Sequence, residues 1–300
     1  MKVAIFGASG FVGTNVIEAL RATNHEIIAS DIQEKPIEGT QFVKANLLEY
    51  EEVETVVSDC DIVIHLAASP LNISVEKPRL NAQINIDGTL NIMDASREYG
   101  IKKVIFSSAS SLVGEVRYNP VDEKHPCTPK TPYGVAKYAI EHYLRVYQEL
   151  YGLNYLVFRF FNIYGPWQYP TSGALIPMVY NKLSAGEAFN VFGTGSQMRD
   201  FVYVGNIADY YVQSVSNDVK NTVVNMGTGI GTTIKDVVLT AGEVLGVEPR
   251  LNYLPERSGE IDNFVADTSR IAGLFGGAPS TSLKDGMKAT FSWLRSLNQG

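Results

Sequence analysis

The chain has 300 residues, 45% of them hydrophobic, which is enough for one large core or for two closely joined units. Its formal net charge is -7 and no run approaches ~20 apolar residues, so we expect neither nucleic-acid binding, which needs clustered lysine and arginine, nor a membrane-spanning helix. The two cysteines, Cys60 and Cys127, match no metal-ligand spacing and are interpreted as free thiols, so we expect no metal site and a cytoplasmic location.

The first half of the chain alternates short apolar runs with helical patterns. The runs are apolar on both faces, as strands of a buried parallel sheet are, and they read KVAIF, EIIAS, DIVIHLA, KVIFSS and NYLVFRF. Helical patterns lie between them at 13–23, 80–99 and 133–151. This alternation predicts βαβ units and an α/β fold with a doubly wound parallel sheet, the Rossmann arrangement.

The pattern loosens after Gly165, where glycine, proline and aromatic residues become frequent. We interpret residues 1–164 as a Rossmann domain and residues 165–300 as a smaller, C-terminal, substrate-binding part. The runs RDFVYV and TVVNMG leave this boundary open, because residues from about 200 to 226 could return to the first sheet.

A glycine-rich turn, GASGFVG, follows the first strand, with glycines at Gly7, Gly10 and Gly13. Such a turn allows close backbone approach, and the helix after it offers free N–H groups to a pyrophosphate, although a plain β–α turn can look the same. Asp31 ends the second strand, where a carboxylate binds a ribose diol and repels a 2′-phosphate, so NAD is favoured over NADP. Asn46 could contact adenine or simply form a turn.

The segment TPYGVAK places Tyr133 and Lys137 four residues apart at the start of a helix, and therefore on one helical face. A free tyrosine phenol has a pKa of about 10 and is a poor base at neutral pH. A nearby lysine cation favours the phenolate and lowers that pKa. The pair also arises by chance on surfaces, but together with the glycine turn it predicts a catalytic base and its partner.

These motifs together resemble the extended short-chain dehydrogenase/reductase family, and within it the sugar-nucleotide epimerases and dehydratases. The resemblance covers nearly the whole chain and is nearest to the epimerases that act at C4 of UDP-hexoses. It rests on GASGFVG, HLAA at 65–68, NIDGTLNI at 85–92, YGVAK, RFFNIYGP at 159–166 and GTGSQMRDFVYV at 193–204.

The resemblance implies roles for individual residues. Those implied to hold NAD are Gly7, Gly10, Phe11, Val12, Gly13, Asp31, Asn46, Leu47, Leu66, Ala67, Ala68, Asn85, Ser107, Tyr133, Lys137 and Phe161. Those implied to bind the sugar nucleotide are Asn162, Arg199, Arg257 and Glu260. Tyr133 would be the base, and Lys137 would bond the nicotinamide ribose and tune Tyr133. Arg199 could instead be a structural partner of Asp200.

The serine-rich segment SSASSLVG departs from the family pattern. The family places a catalytic hydroxyl five residues before the glycine, and counting back from Gly114 gives Ala109. Ser108 or Ser110 could supply the hydroxyl, a water could replace it, or the activity could be lost. The intact tyrosine–lysine pair favours Ser108 or Ser110 as a catalytic residue.

We therefore expect NAD-dependent 4-epimerisation of a nucleotide sugar, a UDP-hexose or UDP-N-acetylhexosamine, through a 4-keto intermediate. Serines stand where sugar dehydratases of the family carry acids, so dehydration is disfavoured. Another reaction of the family, such as reduction or decarboxylation, and a non-catalytic NAD-binding protein remain alternatives. The helical patterns at 80–99 and 133–151 are apolar over more than one stripe, which predicts a homodimer.

Overall fold

The computed structural model describes residues 1–257 and 261–297, and the chain forms two compact units. The first unit consists of Met1–Glu115, Glu123–Phe160 and Ala208–Asn225, and the second of Val116–Asp122, Phe161–Ile207 and Met226–Gly300. The second segment of the first unit ends at Phe160, near the boundary expected at residue 164. The unit also includes the later segment Ala208–Asn225. No helix in the described ranges is long and apolar enough to cross a membrane.

A seven-stranded sheet forms the centre of the first unit. Its strands, numbered along the whole chain, are β1 Lys2–Phe6, β2 Glu26–Asp31, β3 Gln41–Lys44, β4 Ile62–His65, β5 Lys103–Ala109, β6 Tyr155–Phe160 and β10 Thr222–Met226. Their order is β10-β6-β5-β4-β1-β2-β3, and the neighbours from β3 to β6 pair in parallel. The strand order reverses at β1, and doubly wound sheets bind ligands at the carboxyl ends of the strands beside such a point. The predicted α/β fold is confirmed.

Helices make up most of the remaining regular structure of the first unit. They are α1 Phe11–Leu20, α2 Tyr50–Val57, α3 Leu71–Glu76, α4 Pro78–Ala82, α5 Gly88–Glu98, α6 Pro132–Tyr151 and the greater part of α8 Val204–Ser216. A π-helical segment, Gln83–Asp87, joins α4 to α5, and a short 3-10 helix, Ser110–Leu112, follows β5. β4 and β6 are buried at every position, as expected of parallel strands covered on both faces.

The second unit has its own sheets and core. Its strands are β7 Asn162–Tyr164, β8 Phe189–Phe192, β9 Met198–Tyr203, β11 Gly231–Thr233, β12 Leu251–Leu254 and β13 Asn263–Phe264. Its helices are α7 Leu175–Ser184, α9 Ile234–Leu245, α10 Ser269–Phe275 and α11 Leu283–Leu297. β9 pairs with β7, β11 and β13, and β8 pairs with β12. Residues of α7, α9 and α11 supply much of its apolar core.

The two runs that left the boundary open take different courses. TVVNMG contains β10, which joins the first sheet beside β6, whereas RDFVYV contains β9 of the second unit. The returning segment is fastened by Lys103 on β5, whose Nζ donates to the carbonyl oxygens of Asn217 and Val219 at 3.0 Å each. A buried lysine satisfied by carbonyls at the end of α8 ties that helix to the sheet.

Candidate active site

The glycine turn is shaped by close backbone contacts. Gly7 has a φ of +82°, and a Cβ there would lie 2.5 Å from the amide nitrogen of Ala67. A Cβ on Gly13 would lie 2.2 Å from the carbonyl oxygen of Gly7, so neither position accepts a side chain. Helix α1 begins directly after Gly10, and the amides of its first turn have no acceptor within the helix. The turn therefore presents N–H groups to an anion.

A cavity of about 540 Å³ opens beside this turn in the first unit. Eight of the residues predicted to hold NAD line it, namely Gly7, Gly10, Asp31, Asn46, Leu47, Leu66, Ala67 and Ala68. Ser30, Ser69, Ile73, Leu80 and Ile84 also contribute to its wall. The cavity lies at the carboxyl ends of β1, β2 and β4, where the strand order reverses.

Asp31 and Asn46 are both half-buried in the wall of this cavity but make different hydrogen bonds. The Asp31 carboxylate accepts hydrogen bonds from the amides of Ser9 and Gln33, at 3.1 and 3.2 Å, and retains acceptor capacity for a diol. The side-chain oxygen of Asn46 accepts from the amide of Leu48 at 3.2 Å, as a turn-forming asparagine does. Asn46 therefore shapes the loop as well as lining the cavity.

Tyr133 and Lys137 lie in the first turns of α6, as predicted. The side chain of Thr131 caps this helix by accepting from the amide of Gly134 at 3.1 Å, and Pro132 occupies its first turn. Lys137 is only 3% exposed, and its Nζ donates to the carbonyl oxygen of Ser107 at 2.8 Å. Nζ lies 5.6 Å from the centre of the Tyr133 ring, so the two side chains are close neighbours.

The predicted lowering of the Tyr133 pKa by Lys137 is not found in this structure. Burial raises the pKa of Tyr133 to about 12. Burial also lowers the pKa of Lys137 to about 7, against the opposing influence of the Glu141 carboxylate. Burial is the main cause of both shifts, and it outweighs any stabilisation of the phenolate by the lysine.

The five positions of the serine-rich segment have different surroundings. The Ser107 hydroxyl donates to the carbonyl oxygen of His65 at 3.0 Å, and the Ser108 hydroxyl donates to Oε1 of Glu141 at 2.6 Å. Both are engaged within the first unit. Ser110 begins the 3-10 helix directly after β5 and is 8% exposed. Of the two serines predicted to be catalytic, Ser108 is thus committed to a buried carboxylate.

A second, smaller cavity of about 270 Å³ lies within the second unit. Asn162, Arg199 and Arg257, which were predicted to bind the sugar nucleotide, all line it. The remaining wall is rich in aromatic and amide side chains and includes Phe189, Asn190, Phe192, Gln197 and Phe201. The structure therefore brings three sequence-predicted residues from distant parts of the chain together.

The two arginines of this cavity are held differently. Nη1 of Arg199 donates to the carbonyl oxygens of Met198 and Ile261, at 2.9 and 2.7 Å. The guanidinium of Arg257 stacks on the ring of Phe192, 3.7 Å from its centre. Asp200, considered as a partner of Arg199, accepts hydrogen bonds from Thr228, Gly229 and Ala266.

Phe161 is not among the residues that line either cavity. Phe161 stacks on Phe264 within the second unit, with ring centres 5.0 Å apart, and is buried. Glu260 lies outside the described residues.

Over residues 3–227 the sequence matches the NAD dependent epimerase/dehydratase family. The chain belongs to this family. A UDP-glucose 4-epimerase of Thermotoga maritima, solved with UDP-glucose, resembles it with a TM-score of 0.92 and 32% identity, covering 99% of this chain and 100% of that one. A UDP-N-acetylglucosamine 4-epimerase of Methanobrevibacter ruminantium, solved with UDP-N-acetylmuramic acid, gives 0.92 and 31% over 99% and 98%. A UDP-glucose 4-epimerase of Thermus thermophilus, in complex with NAD, gives 0.89 and 30% over 98% and 99%.

The first unit fits the cofactor of the epimerase/dehydratase family. Its glycine turn excludes side chains where a pyrophosphate would approach, and Asp31 stands where a ribose diol would bind. Ser30 and Ser69 line the same cavity, and their hydroxyl oxygens are buried without a protein partner in the described ranges. The predictions of NAD and of an NAD-dependent enzyme are confirmed at the level of the family.

The sequence analysis did not predict all of the side chains that hold Ser69 in the wall of the larger cavity. Nδ2 of Asn81 and Nδ2 of Asn85 both donate to the carbonyl oxygen of Ser69 at 3.0 Å, and Oδ1 of Asn85 accepts from its amide at 2.7 Å. Asn85 was predicted to support the wall, but Asn81 was not. The π-helical segment containing Asn85 changes the helical spacing, and periodicity gives no signal for that.

Proposed function

We propose that this protein catalyses the NAD-dependent 4-epimerisation of a UDP-hexose or a UDP-N-acetylhexosamine. The observation that carries the proposal is the Tyr133–Lys137 pair on α6, in the same compact unit as the dinucleotide cavity. Full-length similarity to UDP-sugar 4-epimerases supports the choice of reaction. Serines at 110 and 111 replace the acids that a dehydratase would need for eliminating water.

Tyr133 would exchange a proton with the 4-hydroxyl of the sugar. A bound NAD, held by the glycine turn and Asp31, would supply the acceptor and donor of hydride at C4 of the sugar, and its positive ring would favour the phenolate. Because burial raises the pKa of Tyr133 to about 12, the phenol needs nearby cations before it can act as a base. Lys137 supplies one such group and remains able to donate to a ribose hydroxyl.

Ser110 is our candidate for the hydroxyl that Ala109 lacks. Its backbone turns into the 3-10 helix immediately after β5, so its side chain is not restricted to the alternating directions of a strand. Ser108 is the weaker candidate because its hydroxyl donates to Glu141.

The cavity of the second unit is proposed to hold the nucleotide diphosphate. Arg199 and Arg257 line it, and guanidinium groups form two parallel hydrogen bonds with phosphate oxygens. The aromatic and amide side chains around them suit a uracil base, which needs both stacking and polar contacts. Asn162 would add a polar contact at the cavity wall.

The decisive experiment is incubation of the protein with UDP-glucose, UDP-galactose and their N-acetyl forms, with products separated by configuration at C4. We expect interconversion within one or both pairs and no net consumption of NAD, since the hydride is returned. Stoichiometric consumption of NADH or NADPH would instead identify a reductase, and release of carbon dioxide from a UDP-uronic acid a decarboxylase. A protein that binds NAD but converts no UDP-sugar would be a non-catalytic relative.

We also propose that the protein is a homodimer and works in the cytoplasm. The outward face of α6 carries apolar side chains, with Val135 51%, Tyr143 40% and Leu150 67% exposed, and such a stripe favours a partner surface. Cys60 and Cys127 are both free thiols, as expected in a reducing compartment.

A further inference from the structure

A buried ion pair lies one helical turn beyond Lys137. Glu141 on α6 and Arg159 on β6 are 7% and 5% exposed. Nε of Arg159 lies 3.0 and 3.2 Å from the two carboxylate oxygens of Glu141, and Nη2 lies 2.6 Å from Oε2. Nη1 of Arg159 donates to the carbonyl oxygen of Glu123 at 3.2 Å. Such a two-point pairing fixes both the distance and the orientation of the two side chains.

The pair is also connected to the end of β5. The Ser108 hydroxyl donates to Oε1 of Glu141 at 2.6 Å. The carbonyl oxygen of the preceding residue, Ser107, accepts a hydrogen bond from Nζ of Lys137 at 2.8 Å. Two successive residues of β5 are therefore bonded to α6, one to Glu141 and the other to Lys137. Glu141 and Lys137 lie four residues apart, about one helical turn.

We propose that Glu141 is a positioning residue for the epimerase reaction, acting with Arg159 and Ser108 to hold the end of β5 against α6 and to place a fixed negative charge beside Lys137. The inference rests on the function proposed above, in which Lys137 acts as a cation.

The charged surroundings give Glu141 a role beyond packing. The Glu141 carboxylate favours the charged form of Lys137, and the charge of Lys137 in turn helps to lower the pKa of His65. Nζ of Lys137 lies 4.5 Å from the centre of the Phe106 ring and 5.6 Å from that of Tyr133. Burial lowers the pKa of Lys137 to about 7, and the Glu141 carboxylate opposes that fall. Without Glu141, the lysine would lose its proton at a lower pH, and a neutral amine would no longer favour a phenolate at Tyr133.

Other groups near the pair bear on the same balance. Arg159 faces Glu141 from β6, and the charges of Cys127 and Glu123 also act on that arginine, while Tyr155 feels Glu141 from the same strand. The Ser108 hydroxyl is the contact from β5. The Glu141 carboxylate is the charge that raises the pKa of Lys137, so removal of both charges is still expected to lower that pKa.

The test uses two variants and a control. Glu141→Gln alone leaves a buried unpaired arginine and can fail to fold, whereas Glu141→Gln with Arg159→Met removes both charges and keeps a similar volume. Glu149→Gln is the control, because Glu149 forms an exposed pair with Arg145 on the same helix. Each protein is studied as purified with NAD, by the pH profile of kcat and by an NMR titration of its lysine side chains, with Lys137 assigned through Lys137→Met.

We expect the alkaline limb of kcat and the Lys137 titration to move to lower pH by about one unit in the folded Glu141 variants. The control should match the wild type in both measurements. A folded variant whose Lys137 titrates as in the wild type overturns the proposal and leaves the pair a purely structural one. If neither Glu141 variant folds, Ser108→Ala decides through kcat: it keeps the Glu141 charge and loosens only the end of β5, so an unchanged kcat at every pH overturns the proposed positioning. Absence of epimerase activity in the wild type would refute the proposed function but not the lysine titration.

Discussion

Tyr133 is the residue that the proposed reaction needs most directly. We expect Tyr133→Phe to bind NAD normally but to lose turnover by roughly 10²–10⁴-fold, the usual effect of losing a placed acid–base group. The measurement is epimerisation rate together with NAD content. Tyr138→Phe, on the same helix and packed against His142, is the matched control and should keep its rate. Near-normal turnover in Tyr133→Phe would remove this tyrosine from the mechanism.

The serines after β5 allow a sharper comparison. Ser110→Ala should lower kcat by roughly 10²–10³-fold, as the loss of one oriented donor to a reacting oxygen does, with fold and NAD binding intact. Ser108→Ala should have a smaller effect on kcat and a clearer one on thermal stability, because its hydroxyl bonds to Glu141. Full rates in both variants would mean that a water, or Tyr133 alone, handles the sugar oxygen.

His65 makes stability depend on pH in a defined direction. Its Nε2 lies 2.9 Å from the Thr89 hydroxyl, which itself donates to the Asn85 carbonyl, so Nε2 carries the hydrogen. Burial, followed by the charge of Lys137, lowers the pKa of His65 to about 3 from 6.5. The neutral ring therefore stabilises the fold above pH 6.5, and this contribution is lost as the pH falls towards 3.

The measurement is the melting temperature between pH 7 and pH 4. We expect His65→Gln to be less stable than the wild type at pH 7 but to lose less stability on acidification. His142→Gln, at an exposed position of α6, should follow the wild-type curve. Parallel curves for wild type and His65→Gln would contradict this account of the histidine.

At the scale of single elements, the long helices and buried strands could be predicted because their patterns are local. The prediction for 133–151 matches α6, which begins at Pro132 and ends before Gly152 with a φ of +73°. The pattern at 80–99 corresponds to part of α4, a π-helical segment and α5, and Asn81 and Asn85 in this stretch both donate to the carbonyl oxygen of Ser69. That arrangement depends on a contact with the loop after β4, which no periodicity reveals.

The outward stripe of α6 provides the test of the proposed dimer. Leu150→Glu places a charge on a side chain that is 67% exposed in the single chain, so it should leave the fold intact. If this stripe is the interface, the variant should sediment as a monomer at micromolar concentration, whereas the wild type sediments as a dimer. Leu239→Glu, at a 39% exposed position of α9, should leave the dimer unchanged. A monomeric wild type would end the proposal.

At the scale of the whole molecule, the sequence predicts the first unit far better than the second. Most residues of the NAD cavity follow from two motifs and the strand ends beside them. The second cavity joins Asn162, Arg199 and Arg257 through short strands with little repetition, and only the resemblance pointed to them. Ala109 shows the limit of motif reading, since only the structure distinguishes the committed Ser108 from Ser110.

The return of the chain to the first sheet predicts how the protein behaves when it is cut short. A fragment of residues 1–164 contains both motifs of the cofactor cavity but lacks β10 and the carbonyls that satisfy Lys103. We expect it to aggregate, because β6 becomes an uncovered sheet edge and a lysine is left buried without partners. A soluble fragment that melts cooperatively and binds NAD would contradict this expectation.

The same feature sets an order of events during synthesis on the ribosome. Chains emerge from their amino end, and domains with contiguous sequence can fold while translation continues. Here β10 is an edge strand of the first sheet, yet it is made after β7, β8 and β9 of the other unit. The nascent chain must therefore keep the edge of β6 from pairing with other chains until residue 226 has emerged, and this interval is where we place the protein's greatest dependence on chaperones.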